Sequence, residues 1–360
     1  METTPVETAP LTVAVFNHKG GVAKTTTACN LAVCLAAHGS RVLLVDLDMQ
    51  GNATNSFGVS PLPATGACEV LAGTASLAEA MLPTLYPGVT VLPATISLRG
   101  AEAAFPSDAQ PPRLLAERLA AGGVGRFADV VVVDCPPALG AMTTLALGSA
   151  GAVLIPVRPD PFAHEGLVNS WYEIGRIRQR LNPTLANAGI LLTMSGAEPA
   201  GEDVARLIRA EFGEQVYSVE VPTDLQVAEA AQMALPVAVL DPDAPAGRAY
   251  MEATEELVRR MARHQRPGAA RTLPQATTDA ALNTLRDWRA HMHAALLRRP
   301  DRGREFSGDR PSPLRLPEDD DFEAVPPRPR QRLGWLIPLL LGLAAGALGE
   351  AVTGVVRRLL

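Results

Sequence analysis

The chain has 360 residues, of which 47% are hydrophobic and 4% aromatic, and its formal net charge is −6. This apolar content supports a sizeable core, and the mildly acidic balance excludes a strongly basic nucleic-acid binder. Residues 1–264 carry 17 basic against 27 acidic side chains, a net of −10, whereas residues 265–360 carry 15 against 11, a net of +4. The division predicts an acidic, soluble body with a mildly basic extension.

Residues 1–10, METTPVETAP, are predicted to be a flexible N-terminus, because the segment is acidic and lacks the apolar region of a signal peptide. The cysteines show neither CxxC nor zinc-type spacing, so we interpret them as small buried residues in a reducing cytosol. They are Cys29, Cys34, Cys68 and Cys135.

From residue 11 to residue 264, apolar runs of strand length alternate with segments of helical periodicity. A helix is predicted from Thr25 to Ala37, and strands are predicted at LTVAVF, RVLLVDLD, GVTVLP, ADVVVVDCPP, GAVLIPV and AGILLTM. The alternation predicts an α/β domain of the P-loop NTPase type, with a mostly parallel sheet and helices on both faces. Ligands of such domains bind at the carboxyl ends of the strands.

A glycine-containing loop, FNHKGGVAKTTT, connects the first strand to the first helix and holds the only two lysines of the chain. Gly20 and Gly21 allow backbone N–H groups to turn inward around a phosphate. Lys24 reaches the β- and γ-phosphates, and the Thr25 hydroxyl is a ligand for Mg²⁺. The loop therefore predicts a site for ATP and Mg²⁺, with further contacts from Val22, Ala23 and Thr26.

Lys19 precedes the glycines, although the loop already has its phosphate-binding lysine. A second lysine at this place is the signature of the deviant Walker ATPases, the ParA/MinD family, and the segment closely resembles that family. The resemblance implies that Lys19 reaches across a sandwich dimer to the nucleotide of the other subunit and stabilises charge during phosphoryl transfer. It therefore implies an ATP-dependent homodimer.

Two acidic segments extend the resemblance. VLLVDLDMQGN is similar to the DxDPQGN segment of the family, with Met49 in place of proline. The match implies that Asp48 is a catalytic residue that orients the attacking water and that Asp46 is its neighbour on the metal side. A solvated turn is the alternative. Asp134 ends the apolar run VVVVD, a Walker B pattern, and is predicted to support Mg²⁺.

The resemblance covers about Thr12 to Met261, and VEVPTDLQVAEA matches the region that closes over adenine, which makes Pro222 and Asp224 base-pocket candidates. Partitioning members bind DNA nonspecifically through basic residues, but Thr223 and Gln226 stand where the family usually has arginine. DNA binding and a solvated surface both stay open for the remaining candidates, which are Arg176, Arg178, Arg180, Arg206 and Arg209.

The extension divides into three segments. Residues 276–299 have near-heptad apolar spacing and predict an amphipathic helix that either packs on the body or binds a partner. Residues 300–332 are rich in Pro, Arg, Asp and Glu and predict a disordered linker. Residues 333–356 hold one charge, Glu350, and a helix of this length spans ~36 Å, enough for a bilayer core of ~30 Å.

Arginines bracket the apolar tail and Trp335 lies where an interfacial aromatic residue belongs, so a membrane-spanning helix is predicted. An anchor in the membrane plane and an apolar helix docked on protein are the alternatives. A spanning tail would hold the cytoplasmic ATPase domain at the inner face of the cell membrane.

Three functions remain open. The first is a switch ATPase that positions or segregates DNA or a protein complex and is stimulated by a partner protein, ParB-like or other. The second is a membrane-tethered scaffold that binds ATP structurally and recruits partners. The third is a metabolic ATPase of the same fold, such as an amidotransferase-like or reductase-type enzyme.

Overall fold

The computed structural model describes residues 9–101, 105, 112–196, 199–264, 273–274 and 276–297, with side chains as far as residue 291. The predicted linker (300–332) and apolar tail (333–356), and most of the predicted flexible N-terminus, lie outside the described residues. In the part that is described, no helix is both long enough and apolar enough to cross a bilayer.

Eight strands in the described residues form one sheet. In chain order they are β1 (Leu11–Val15), β2 (Val42–Asp46), β3 (Leu82–Pro83), β4 (Val89–Leu92), β5 (Val130–Asp134), β6 (Ala152–Val157), β7 (Ala186–Ser195) and β8 (Val221–Pro222). The order across the sheet is β3-β4-β2-β5-β1-β6-β7-β8. The β3–β4 pair is antiparallel and all other neighbours are parallel, which confirms the predicted mostly parallel sheet.

Helices connect the parallel strands, because strands that run parallel need a crossover connection between them. In chain order they are α1 (Lys24–Ala37), α2 (Asn52–Ser56), α3 (Ala67–Ala72), α4 (Leu77–Ala80), α5 (Leu114–Ala121), α6 (Ala141–Ser149), α7 (Ala163–Arg180), α8 (Pro199–Phe212), α9 (Leu225–Gln232), α10 (Val237–Leu240), α11 (Pro245–His264) and α12 (Thr278–Leu297). Short 3₁₀ turns lie at Ile96–Gly100, Val124–Arg126 and Gly213–Gln215.

The central strands are buried on both sides, which explains their uninterrupted apolar sequence. Every residue of β2 and β5 is buried. Alternate residues of β1 enter two cores, one on each face of the sheet: Ala14 packs in one core, and Val13 and Val15 pack in the other. This arrangement fixes the central strands and the loops at their carboxyl ends, where the predicted site residues lie.

Helix α12, from the extension, packs on the body through its apolar face. Ala281, Leu282 and Leu285 are buried in the core that also contains α1. The Trp288 ring lies 5.8 Å from the ring of Tyr86. Its polar face is attached as well, through the ion pairs Arg286–Asp243 (2.6 Å) and Arg289–Asp241 (3.2 Å). Packing on the body is therefore observed, and partner binding by this helix stays a prediction.

Candidate nucleotide-binding site

The loop between β1 and α1 has the backbone shape of a phosphate-binding loop. Gly21 has φ 71°, and Ala23, at the N-cap of α1, has φ 61° and ψ 32°, so both residues are left-handed. A Cβ built at Gly20 or Gly21 would meet no atom within 4 Å, so there is open space beside both glycines. Because α1 has neither a side-chain cap nor an acidic residue in its first turn, its N–H groups can bind an anion.

Lys24 lies inside this loop. Its side chain is almost fully buried, and Nζ donates a hydrogen bond to the Lys19 carbonyl oxygen at 2.8 Å. Burial lowers the pKa of Lys24, while the charges of Asp134 and Asp48 act in the opposite direction. A desolvated ammonium group held by backbone is suited to accept phosphate oxygens as additional partners.

Asp46 and Asp134 are direct neighbours across the β2–β5 pair, and both are fully buried. Asp46 accepts hydrogen bonds from the Thr54 backbone N–H (2.8 Å), the Thr54 hydroxyl (2.7 Å) and the Asp48 N–H (3.1 Å). Burial raises the pKa of Asp46 to about 6 against the effect of these bonds. Asp46 thus fixes the turn that carries Asp48, and its role beside the metal stays a prediction.

Asp134 differs from its neighbour because neither carboxylate oxygen has a hydrogen-bond partner in the described part of the chain. Burial and the charges of Asp46 and Asp48 raise its pKa well above the usual range, opposed by the nearby Thr25 hydroxyl and Lys24 ammonium. A buried carboxylate without partners is costly unless a cation accompanies it. Asp134 and Thr25 therefore fit the predicted magnesium site.

The described residues contain no group of three or more His, Cys, Asp or Glu side chains that could hold a metal ion by themselves. This agrees with the chemistry of Mg²⁺ at phosphate sites, where one or two protein oxygens are supplemented by substrate phosphates and water. The site fits a magnesium–nucleotide complex better than a resident, protein-enclosed ion.

Asp48 follows β2 and is 9% exposed. Its Oδ1 accepts the Gln50 N–H at 2.9 Å, while Oδ2 accepts no hydrogen bond from the described residues. One oxygen is thus anchored and the other is available to water, which is the arrangement that a water-orienting carboxylate needs. The neighbouring Met49, which replaces the proline of the family, is 46% exposed.

The Lys19 side chain is partly exposed and is held by an acidic residue. Its Nζ lies 2.5 Å from both carboxylate oxygens of Asp160, which follows β6. Partial burial by itself would raise the pKa of Asp160, but the hydrogen bonds from Lys19 and from the Phe162 N–H, with the charge of Arg158, lower it overall. Lys19 and Lys24 therefore have different partners, and Lys24 is the more deeply buried of the two.

Three residues that support the loop were not singled out by sequence reasoning. Buried Asn17 donates to the Pro156 carbonyl at 2.8 Å and accepts the Lys19 N–H at 2.9 Å. The Ser170 hydroxyl of α7 donates to Asn17 Oδ1 at 3.1 Å and accepts the His18 N–H at 3.0 Å. Asp160 is the third. Its position directly after an apolar strand was the one available signal, since ligands gather at such ends.

The predicted base-pocket residues lie at the carboxyl edge of the sheet. Pro222 ends β8, and Asp224 is the N-cap of α9. Asp224 accepts the N–H groups of Gln226 (2.9 Å) and Ala246 (3.1 Å), so it fixes the start of α9 against α11. Contact of these two residues with adenine stays a prediction.

Four of the five arginines considered for DNA binding have partners within the chain. Arg176 pairs with Glu173 at 2.8 Å, Arg209 with Glu220 at 2.7 Å, and Arg206 with Asp203. Arg178 donates from Nε to the Leu185 carbonyl at 3.0 Å. These contacts favour the solvated-surface interpretation for the three paired arginines, and DNA binding by this set stays a prediction.

The whole chain can be compared with known proteins. A family model described as an AAA domain matches residues 11–187. The chromosome partitioning protein ParA of Caulobacter vibrioides is 38% identical over 254 residues, which are 70% of this chain and 95% of that protein. The chromosome-partitioning ATPase Soj of Thermus thermophilus is 38% identical over 252 residues, 69% and 96% of the two chains. This chain belongs to the ParA/Soj family of ATPases.

A solved structure with nucleotide resembles this ParA/Soj-family chain as well. The crystal structure of cobyrinic acid a,c-diamide synthase from Mycobacterium smegmatis with an ATP analogue and magnesium is 33% identical, with a TM-score of 0.60. The match covers 75% of this chain and 100% of that one. The chain is thus an ATPase whose cofactors are ATP and Mg²⁺, and the predicted ParA/MinD membership is confirmed.

Proposed function

We propose that this ATPase is a switch that forms an ATP-dependent sandwich dimer and partitions or positions DNA or another cargo. The proposal depends on one observation, the divided roles of the two lysines. Lys24 is buried and donates to backbone within its own phosphate loop, whereas the Lys19 side chain is partly exposed and pairs with Asp160. A partly exposed cation beside a nucleotide site is suited to a second subunit's phosphates.

The residues of the site take separate tasks in this proposal. The α1 N-terminus, Gly20, Gly21 and Lys24 bind the phosphates, and Thr25 and Asp134 hold the metal. Magnesium, when bound, neutralises charge on the phosphate oxygens. Asp48 orients the attacking water through its free oxygen, and Lys19 of the neighbouring subunit stabilises the charge of the transition state.

The names of the relatives support the proposed output. The Caulobacter and Thermus proteins are described as acting in chromosome partitioning, and both match over nearly their full length. We propose that hydrolysis is slow in the isolated chain and is accelerated by a partner protein, because the useful output is a change of dimer state.

The test is sedimentation velocity of the full chain with Mg·ATP, combined with a phosphate-release assay. Asp48→Ala should accumulate a dimer, since it binds ATP without hydrolysing it. Lys24→Ala should stay monomeric, and Lys19→Ala should bind ATP but dimerise poorly. Glu165→Gln, an exposed substitution on α7, is the control and should behave as the wild type.

Dimerisation that is equally strong without Lys19 would contradict the switch. If turnover were also unaffected by any added partner or DNA, the result would favour the alternative, a scaffold that binds ATP structurally. The metabolic alternative receives less support, because all four cysteines are buried and none is presented as a surface nucleophile or cluster ligand.

Membrane attachment at the inner face of the cell membrane is a separate part of the proposal. It is supported by the composition of residues 333–356, an apolar run with arginines on both sides. In a flotation assay with anionic liposomes, the full chain should float and a chain ending at residue 332 should not. Equal behaviour of the two chains would contradict attachment through the tail.

A further inference from the structure

A large groove in the described part of the chain lies far from the nucleotide site. It has a volume of about 920 Å³ and is formed by the end of α7, the loop into β7, the turn after α8 and the last turns of α11. It therefore opens at the amino edge of the sheet. Along β7, which runs from this groove to Thr193 beside the phosphate loop, the separation is about 23 Å.

Arginine side chains make this groove positively charged. Its lining contains Arg178, Arg259, Arg260 and Arg263 against Glu214 and Glu256, a net of +2 within a body of net −10. The groove is thus a local positive site on an acidic protein. Its volume lies within the range of pockets that hold nucleotide-sized ligands, about 300–1,000 Å³.

One arginine and one glutamate in the lining serve the fold. Arg260 donates to Glu256 at 2.6 and 2.9 Å and to the Val216 carbonyl at 3.0 Å, and it covers the Tyr217 ring at 4.5 Å. Glu256 also accepts the Ser218 N–H and hydroxyl. This network neutralises Glu256 and forms a rigid wall of the groove.

The other three arginines retain binding capacity. Arg178 uses only Nε, leaving both terminal nitrogens without a partner among the described residues. Arg259 makes a single long contact, 3.7 Å to Glu255, and its side chain is 59% exposed. Arg263 makes no hydrogen bond or ion pair with any described residue. Three planar, permanently charged forks around one groove match the geometry of phosphate groups.

We propose that this groove binds a compact small molecule that carries two or more phosphate groups, with Arg178, Arg259 and Arg263 as the phosphate ligands. A small molecule is favoured over a nucleic-acid backbone because of the range of electrostatic forces. The electrostatic energy of a ligand inside the groove is set mainly by the adjacent guanidinium groups. An extended polyanion reaches beyond the groove and is also repelled by the acidic body, whose charges act over a Debye length of about 8 Å. The proposal is independent of the dimer switch, since the groove is at the other edge of the sheet.

The test uses inorganic tripolyphosphate as the probe, added to the full chain after saturation with Mg·ADP so that the phosphate loop is filled. Trp171 lines the groove and reports binding when the other two tryptophans are replaced by Trp288→Phe and Trp335→Phe. We expect a saturable change of Trp171 fluorescence, with a matching heat signal in calorimetry.

The decisive variant is Arg259→Gln with Arg263→Gln, which should weaken probe binding at least about tenfold, because each lost charge-assisted hydrogen bond weakens binding by about that factor or more. The control is Arg176→Gln with Arg248→Gln, which removes the same charge from α7 and α11 outside the groove and should bind as the wild type. The unfolding midpoint of each variant verifies folding.

Three results would overturn the proposal: no saturable signal, an equal loss in both double variants, or an unchanged affinity in the groove variant. A short DNA duplex is the comparison ligand at physiological salt. Should the duplex bind in a manner that depends on Arg259 and Arg263 while tripolyphosphate does not, the groove is a nucleic-acid site and the small-molecule proposal is wrong.

Discussion

At the scale of single residues, the two lysines lie in different surroundings. Lys24 is buried and bonded to backbone, whereas Lys19 is partly exposed and held by a carboxylate. A partly exposed ion pair contributes about 0–1 kcal/mol, so an incoming phosphate can displace it. The contact with Asp160 therefore restrains Lys19 without fixing it permanently.

This restraint leads to a prediction for Asp160→Asn. Removing the negative partner should release Lys19 and increase the dimer fraction at limiting Mg·ATP by a factor of up to about five, the equivalent of about 1 kcal/mol. Sedimentation velocity measures the effect, with Glu165→Gln as the control. A reduced dimer fraction would mean instead that Asp160 positions Lys19 for its contact.

A second residue-scale prediction concerns Glu256 and pH. Burial alone would raise its pKa, but hydrogen bonds from Ser218 and Arg260 lower it overall. A carboxylate with a lowered pKa stabilises the fold above its unfolded pKa of about 4.3 and loses this contribution as the pH falls through the folded value. Glu256→Gln should lower the free energy of unfolding by about 1–3 kcal/mol at pH 7, and by progressively less as the pH falls.

Urea unfolding at a series of pH values between 7 and 3 is the measurement. Glu252→Gln, an exposed change on the same helix, should leave the pH dependence as in the wild type. If the wild type and Glu256→Gln lost stability in parallel over this range, the proposed contribution of Glu256 would be absent.

At the scale of elements, helix α12 is an addition that completes a core. Its Trp288 packs on Tyr86, whose ring lies 5.6 Å from that of Phe57, next to α2. Helix α2 supplies Thr54, which holds Asp46. The extension thus packs behind the segment that shapes the nucleotide site.

Trp288→Ala tests this packing. Full truncation of a buried aromatic side chain lowers the free energy of unfolding by about 3–5 kcal/mol. Because Trp288 is only half-buried, we expect a loss of about 2 kcal/mol. Urea unfolding of the full chain gives the value, and Asp287→Ala, exposed on the same helix, should change it by less than about 0.5 kcal/mol. A negligible effect of Trp288→Ala would show that α12 contributes little to the body.

The same elements show what the sequence could and could not predict. The helix predicted from Thr25 is found from Lys24, and the long apolar strands are found where periodicity placed them. The two-residue strands β3 and β8 were missed, because such short segments carry no periodicity. The phosphate loop and its acids were predicted since each motif is local. The Lys19–Asp160 contact spans 141 residues and appears only in the fold.

At the scale of the whole molecule, nucleotide binding should raise the free energy of unfolding. Ligand at about 100 times its dissociation constant stabilises the folded state by about 2.7 kcal/mol. For a chain of this size, that corresponds to a rise in unfolding temperature of roughly 4 °C. We expect this shift with Mg·ADP and its loss in Lys24→Ala, measured by differential scanning calorimetry.

Lys19→Ala is the matched control for that measurement, since it removes the only other lysine. It should keep most of the shift, because ADP lacks the phosphate that Lys19 is proposed to contact in a neighbouring subunit. Loss of the shift in both variants would contradict the division of roles between the two lysines.

The adjacent carboxyl groups of Asp46 and Asp134 lower the stability of the fold at the position where the metal is proposed to bind. Two acids side by side at the centre of a sheet make the resting protein less robust than an uncharged pair would. We expect Asp134→Asn to raise the free energy of unfolding of the nucleotide-free protein and to lower Mg·ATP turnover. Selection for stability alone would replace one of these two carboxyl groups. The pair therefore marks the position at which stability is lower in exchange for the proposed metal and nucleotide chemistry.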